Sequence, residues 1–264
     1  LGTRLRGRRP PPARARLLAP LKMDPKLSAR GRRVLKAREP KVVEGPKVGL
    51  MLKGNKTSQI GSTFLTDLTR MKKPLVRGLG KRNDVHPFDN EAPLEFLASK
   101  NDASLFCLTN HSKKRPHNIV MGRTFDGHLL DMFELGLDEA TFRAIDDFRD
   151  VPKMRLGSKP CVVFQGEWEH DAEMQRLQNF LLDFFRGDEL DKLALKGIDR
   201  VLYLALDTST SSPRVLLRHY GVRFKRSGTK VPNVELQEMG PRADLTVRRR
   251  RCASAELWRG GGGA

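Results

Sequence analysis

Three seven-residue apolar runs in close succession, SLFCLTN (104–110), NIVMGRT (118–124) and LLDMFEL (129–135), fix the local architecture of this chain. Each is too short for a stable helix and has the length and apolar content of a strand. A polar break at 111–117 and a Gly127-His128 turn separate them, so the pattern predicts three successive strands. A helix is expected just before them, over 93–100, with Leu94, Phe96 and Leu97 facing inward. Asp138 is an expected N-cap for a short helix ending at Phe148.

A second series follows a linker at 149–159 that contains Pro152 and Gly157. It opens on CVVFQ (161–165), an apolar run of the buried-strand type. Residues 171–186 have a helical stripe of Met174, Leu177, Leu181 and Phe184, and Gly187 stops it. Strands are expected at 201–206 and 214–224. Segments 234–238 and 245–249 flank Gly240-Pro241 and read as paired strands. Phe133, Leu135, Phe184 and Phe185 are core candidates, since burial contributes about 1.5–3 kcal/mol for each such side chain. The coarse class is therefore α/β or α+β, with similar halves at about 88–150 and 159–252.

The flanks differ in composition. Residues 1–38 hold 13 Lys/Arg and one acid, Asp24, and are expected to form a disordered basic extension. The first 22 residues lack acids as an organelle transit peptide does, but Pro10, Pro11 and Pro12 interrupt the amphipathic helix such a peptide needs; Met23 is a candidate start. Residues 39–87 are expected to be an extended arm with a short helix at 63–71, and 253–264 a C-terminal tail.

Charge narrows the partners. Lys and Arg number 50 against 31 Asp and Glu, a net charge of +19, which implies a polyanion. Nucleic acid and an anionic membrane surface both qualify by charge. No run of 18 apolar residues occurs, so a membrane span is not expected, and the expectation is nucleic acid and no membrane. Cys107 and Cys161 lie in apolar runs and, with Cys252, read as reduced thiols, the first two buried, which fits the cytosol or nucleus. Two Asn-X-Ser/Thr matches, at Asn55 and Asn110, read as chance. The cations cluster: Lys113, Lys114 and Arg115 beside His117, Arg123 at a strand end, an acid-free span from Thr208 to Val234 with Arg214, Arg218, Arg223, Lys225, Arg226 and Lys230, and a run at Arg248 and Arg249. Further cations, Lys72, Lys73, Arg77, Lys81 and Arg82, punctuate the arm. Such cations neutralise phosphates and position RNA rather than read its bases. Aromatics are few, so recognition of folded RNA by shape is expected rather than single-strand stacking.

Motifs for catalysis fail one by one. GLMLKGNKT (49–57) resembles a phosphate-binding loop, but Asn55 separates Gly54 from Lys56, so it reads as a basic flexible loop. Gly78-Leu-Gly80 lacks a third glycine. No C-x-x-C or H-E-x-x-H spacing offers a metal site, and no G-x-S-x-G elbow a nucleophile. The carboxylates near His170 (Glu167, Glu169, Asp171) read as helix-start charge. An RNA-processing enzyme, a nuclease or NTPase, stays open as an alternative on that cluster and on Lys56, as does an organellar RNA-binding protein.

The stretch KKRPHNIVMGRTFDGHLLDMFELG (113–136), then KPCVVFQGEWE (159–169), RLQNFLLDFFRG (176–187) and VELQEMGPRADLTVRRR (234–250), resembles the Brix-domain proteins of ribosome assembly. AREPK (37–41), KKPLVRGLGKRNDVHPF (72–88) and LEFLASKNDASLF (94–106) extend the resemblance from about Met23 to Trp258. It implies two pseudo-symmetric α/β halves, no catalysis, no cofactor, and work in the nucleus and nucleolus on the large subunit. It further implies binding of 5S rRNA, possibly also 25S/28S rRNA. The implied assembly is a heterodimer with the regulator of ribosome synthesis protein, delivering the 5S particle with its ribosomal proteins to the 60S pre-ribosome. The resemblance carries RNA contact to Lys113, Lys114, Arg115 and Arg123 and to Arg223, Lys225, Arg226 and Lys230; His117, Arg218, Arg248 and Arg249 join them as candidates. The residues before Met23 have no counterpart in the family, and its basic C-terminal tail has none here.

Overall fold

A computed structural model describes residues 28–38, 46–187, 197–210, 212–229, 231–253 and 257–258. The chain divides into two units, 1–44 and 45–264. In the first, the described part is helix α1 (Ala29–Arg38), where Ser28 Oγ accepts a hydrogen bond from the Gly31 N–H at 3.1 Å. Residues 29–38 are thus helical rather than the disorder expected; Ala, Arg, Leu and Lys are good helix formers, and a Ser cap closes the first turn.

The second unit begins with β1 (Gly49–Gly54), α2 (Gln59–Lys72), β2 (Val76–Asn83), α3 (Ala92–Lys100), β3 (Leu105–Asn110), β4 (Asn118–Phe125) and β5 (His128–Leu137). It continues with β6 (Cys161–Gln165), α4 (Ala172–Arg186), β7 (Arg200–Asp207), β8 (Arg214–Lys225), β9 (Asn233–Glu238) and β10 (Ala243–Cys252). Among the described residues these strands make one sheet in the order β2-β1-β3-β4-β5-β10-β8-β7-β6, with β9 added to β8.

The order contains an internal repeat. β1 runs parallel to β3, and β4 and β5 follow antiparallel. β6 likewise runs parallel to β7, followed by antiparallel β8 and β10. Helix α2 lies between β1 and β3 in the chain as α4 lies between β6 and β7. The antiparallel pairing of β5 with β10 joins the two series at the centre of the sheet. Two pseudo-symmetric α/β halves are therefore present, as the motif order implied.

Both α2 and α4 cover the same face. Phe64, Leu65, Leu68 and Met71 of α2 and Met174, Leu177, Phe180, Leu181, Phe184 and Phe185 of α4 share one core with Leu105, Phe133, Leu135, Leu204, Leu217 and Leu245. On the opposite face of the first half, α3 with Val85 and Phe88 covers Leu50, Leu52, Phe106, Leu108, Val120 and Met132. The four core candidates, Phe133, Leu135, Phe184 and Phe185, are all buried.

Several expectations need correction. Residues 49–83 are not an arm: β1 lies between β2 and β3, and Leu50, Met51 and Leu52 are buried because α2 and α3 cover opposite sides of that strand. Phe96 points outward, and Leu94 and Ala98, four apart, form the buried stripe of α3 instead. The helix expected over 138–148 shrinks to a single 3-10 turn at Ile145–Asp147, since the Ile145 N–H is taken by buried Asp67 of α2 at 3.0 Å. β6 is an edge strand with exposed Cys161 and Val163, so its apolar content did not imply full burial. β9 pairs with β8, not with β10, which lies between β8 and β5.

An ionic link ties α4 to the sheet. Arg123 of β4 donates from Nε to both carboxylate oxygens of Asp131 on β5 at 3.0 and 3.1 Å, and from Nη1 to Asp183 of α4 at 2.6 Å. Lys47 reaches the same Asp183 oxygen at 2.8 Å. The Trp258 and Phe180 rings cover the guanidinium. Burial raises the Asp131 carboxyl above its ordinary value even though Arg123 opposes the shift. Replacing Arg123 with Met should therefore cost about 3–5 kcal/mol, by leaving a buried carboxylate unpaired. Denaturant unfolding measures it, and a loss under about 1 kcal/mol would show that the link is dispensable.

His219, fully buried on β8, donates from Nδ1 to the Gly240 carbonyl. Burial, with Arg200 nearby, lowers its pKa from 6.5 to about 4. The unfolded chain thus takes up a proton below pH 6.5 that the folded chain refuses until about pH 4. Stability should be complete above pH 6.5 and fall by up to about 3 kcal/mol toward pH 4. Asp67, raised by burial to about 6, acts in the opposite sense. The comparison is therefore with His219→Gln, whose stability should fall less over this window; parallel pH profiles for the two proteins would exclude His219.

Candidate nucleic-acid interface

Strand register brings the two main basic clusters to one rim of the sheet. The C-terminal ends of β1, β2 and β3 lie together, as Gly54 faces Asn83 and Lys53 faces Thr109. Asn110 faces Asn118 and Asn118 faces Gly136, so the start of β4 and end of β5 share the rim. Leu137 faces Leu245 and Ala243 faces Leu217, which directs β8 toward the same side. Beyond Gly221, the last residue paired with β7, β8 runs on with β9 as a two-stranded ribbon. The β3–β4 loop and the ribbon thus both leave from this rim.

The rim cations fall into two classes. Among the described residues, Lys113 and Lys114, at the tip of the β3–β4 loop, are exposed and have no acidic partner. Arg223 and Arg226, on the ribbon and just past its first strand, are likewise exposed and unpaired among the described residues. Lys225 meets Glu235 across the ribbon at 2.5 Å, an exposed pair of small energetic value. Lys230 lies outside the described residues. Lys56 adds to the loop cluster: its carbonyl accepts the His111 N–H at 2.7 Å, and its side chain is exposed. Arg82 of β2 reaches the neighbouring Asn55 carbonyl at 3.4 Å.

The remaining candidates are held by the fold. Glu134, almost fully buried on β5, accepts from Arg115 at 3.1 Å, from Arg249 Nε at 2.5 Å and from Asn118 Nδ2 at 2.7 Å. Arg249 also lies 4.1 Å over the Phe88 ring. Arg248 donates to Asn118 Oδ1 at 2.8 Å and the Pro116 carbonyl at 3.0 Å, which fixes the base of the loop. His117 stands between Ser58 Oγ at 2.9 Å and Glu139 at 3.2 Å. Arg218 pairs with Asp244 at 2.7 Å. Arg123 belongs to the ionic link to α4. The loop's free lysines therefore stand on a scaffold of hydrogen-bonded arginines.

The catalytic alternatives gain no geometry. Six of the nine residues of GLMLKGNKT are strand β1, so its glycines form no phosphate-cradling loop, and the flexible loop expected there is replaced by a strand and the Ser58 cap of α2. The carboxylates near His170 line an open depression with Phe164, Trp168 and Gln178. No cluster of three or more metal-ligating side chains occurs among the described residues, and no described helix is long and apolar enough to cross a membrane. Sequence reasoning missed the inward acids Asp131 and Glu134. Spacing gave no signal for them: three apart in a strand, Asp131 and Glu134 lie on opposite faces of β5, each beside buried apolar residues.

Comparison with known proteins shows the family. The Brix domain family profile matches residues 54–249. The ribosome production factor 2 homolog of Drosophila melanogaster is 42% identical over 231 residues, covering 87% of this chain and 70% of that protein. The homolog from Schizosaccharomyces pombe is 38% identical over 236 residues, covering 87% and 74%. A probable ribosomal biogenesis protein from Aeropyrum pernix K1 superimposes with a TM-score of 0.44 and 12% identity, over 79% of this chain and 97% of that one. With its profile match spanning both halves of the sheet, and relatives this similar over most of their length, the chain belongs to the Brix-domain family.

Proposed function

We propose that this chain is a non-enzymatic ribosome biogenesis factor that holds 5S rRNA by its sugar–phosphate exterior. In this reading it works in the nucleolus, as a heterodimer with the regulator of ribosome synthesis protein. The pair brings the 5S particle, with its ribosomal proteins, into the 60S pre-ribosome, where 25S/28S rRNA is a further polyanion within reach. The names of its relatives support the ribosomal part of the reading. The observation that carries the RNA part is the rim, where Lys113, Lys114, Arg223 and Arg226 stand exposed and, among the described residues, unpaired.

Physical selection supports the same choice of contacts. A guanidinium already bonded to a buried carboxylate brings little net charge to a phosphate, and pulling it away exposes that carboxylate to a cost of several kcal/mol. Free cations on a loop and a ribbon carry no such cost, and each phosphate they neutralise releases condensed counterions. The backbone beneath them is fixed by Arg248 and by β8–β9 pairing, so little ordering entropy opposes binding.

Two measurements test this. Affinity for 5S rRNA should fall steeply from about 50 to 200 mM salt, with a log–log slope near −3 for four phosphate contacts. A flat salt response would end the phosphate-contact reading. Replacing Lys113 and Lys114 with Ala, or Arg223 and Arg226 with Ala, should each weaken binding and reduce that slope by about 1.5. Binding unchanged in both double variants would place the RNA elsewhere.

A further inference from the structure

The loop that closes the β8–β9 ribbon carries hydroxyls in a basic setting. Strand β8 ends at Lys225 and β9 begins at Asn233, and these two residues face each other at the end of the ladder. The chain between them, 226–232, reads RSGTKVP. Ser227 Oγ and Thr229 Oγ1 lie 2.8 Å apart, and Thr229 Oγ1 donates to the Val231 carbonyl at 3.0 Å. Gly228 takes φ +76° between them, and a Cβ there would meet nothing within 4 Å. The tip of the loop therefore stands clear of the sheet.

Spacing and exposure together single out Thr229. Three Ser/Thr residues of the chain have a cation three positions before them: Ser158 after Arg155, Thr229 after Arg226 and Ser254 after Arg251. Basophilic protein kinases read such a cation with carboxylates of their substrate groove, and a charge pattern of this kind sets which substrate they take. Ser158 is half-buried, its hydroxyl donates to the Arg155 carbonyl at 3.0 Å, and its own carbonyl accepts from buried Arg200. Ser254 lies outside the described residues. Thr229 is exposed, as are Lys225 and Arg226 before it. Among the described residues it alone joins the spacing to exposure.

We propose that Thr229 is a phosphorylation site whose phosphate switches off the ribbon half of the RNA interface. In the transfer, Thr229 Oγ1 attacks the γ-phosphorus of a nucleoside triphosphate held by a basophilic kinase. The new O–P bond forms as the bond to the β-phosphate oxygen breaks, the nucleoside diphosphate leaves, and the hydroxyl proton passes to a carboxylate of the kinase. The product carries a charge of about −1.5 to −2 at pH 7.

That charge lands among the ribbon cations. Arg226 lies in the same loop and Arg223 on the strand that leads into it, and among the described residues neither has an acidic partner. A phosphate beside them offsets their charge and repels the sugar–phosphate chain they would hold. Esterification also removes the hydroxyl proton that Thr229 gives to the Val231 carbonyl, which loosens the turn. Lys113 and Lys114, on the β3–β4 loop, keep their charge. The inference rests on the RNA reading above for its consequence, but not for its chemistry.

Incubating the full chain with ATP, magnesium and calmodulin-dependent protein kinase II, which takes an arginine three before its acceptor, tests both parts. Peptide mapping by mass spectrometry should place a phosphate on Thr229. The modified chain should bind 5S rRNA about tenfold or more weakly at about 0.1 M salt, with the log–log salt slope reduced by about 1.5. Thr229→Val keeps the side chain's size at an exposed position and loses the hydroxyl, so its affinity should be the same before and after treatment. Thr229 left unmodified overturns the site. The switch is overturned if the modified chain binds as the untreated one does, or if treatment weakens Thr229→Val equally. Should the untreated chain not bind 5S rRNA, the RNA reading fails by itself, and a heparin column still decides the effect of the charge. The modified chain should then elute at lower salt, and elution at the same salt overturns the switch.

Discussion

The antiparallel pairing of β5 with β10 is the contact on which the rest of this structure depends. It turns two α/β halves into one sheet and sets both helices, α2 and α4, on the same side of it. The same strand, β5, places Asp131 and Glu134 inside the sheet, and these two acids collect Arg115, Arg123 and Arg249 from elsewhere in the chain. A strongly basic protein must keep its cations from repelling one another in the folded state. Here the central strand does so by holding three arginines inward, which leaves a smaller set of lysines and arginines to face a ligand.

Much of the fold was legible because strand and helix periods are local properties. The three runs from 104 to 135 and the α4 stripe appear within a residue or two of their expected bounds. What was not legible depended on what lies above and below a strand. GLMLKG carries two glycines and a lysine and has no alternation, so it does not read as a strand. It becomes one because α2 and α3 bury both of its sides. CVVFQ has the opposite fault: its apolar content suggests a centre, yet it ends the sheet with one neighbour.

The candidate site shows the same limit in electrostatic terms. Sequence gives the sign of a charge and its neighbours along the chain, but not the distant acid that cancels it. Lys113 and Arg115 look equivalent in KKRPH, yet Arg115 bonds to Glu134, nineteen positions away, and Lys113 does not. Arg223 and Arg226 stay unpaired because the ribbon carries them past the last strand that offers a carboxylate other than Glu235. The acid-free span was therefore informative where it leaves the sheet and misleading where it stays inside.

The two lateral borders of the sheet are treated unequally, with a consequence for self-association. β2 ends one side with Arg77, Lys81 and Arg82, and like charges discourage two copies from zipping together there. β6 ends the other side with Cys-Val-Val-Phe-Gln and no charge at all. An uncharged border of that kind accepts a further strand, and because the opposite border is charged, addition of a second copy there would stop at a pair.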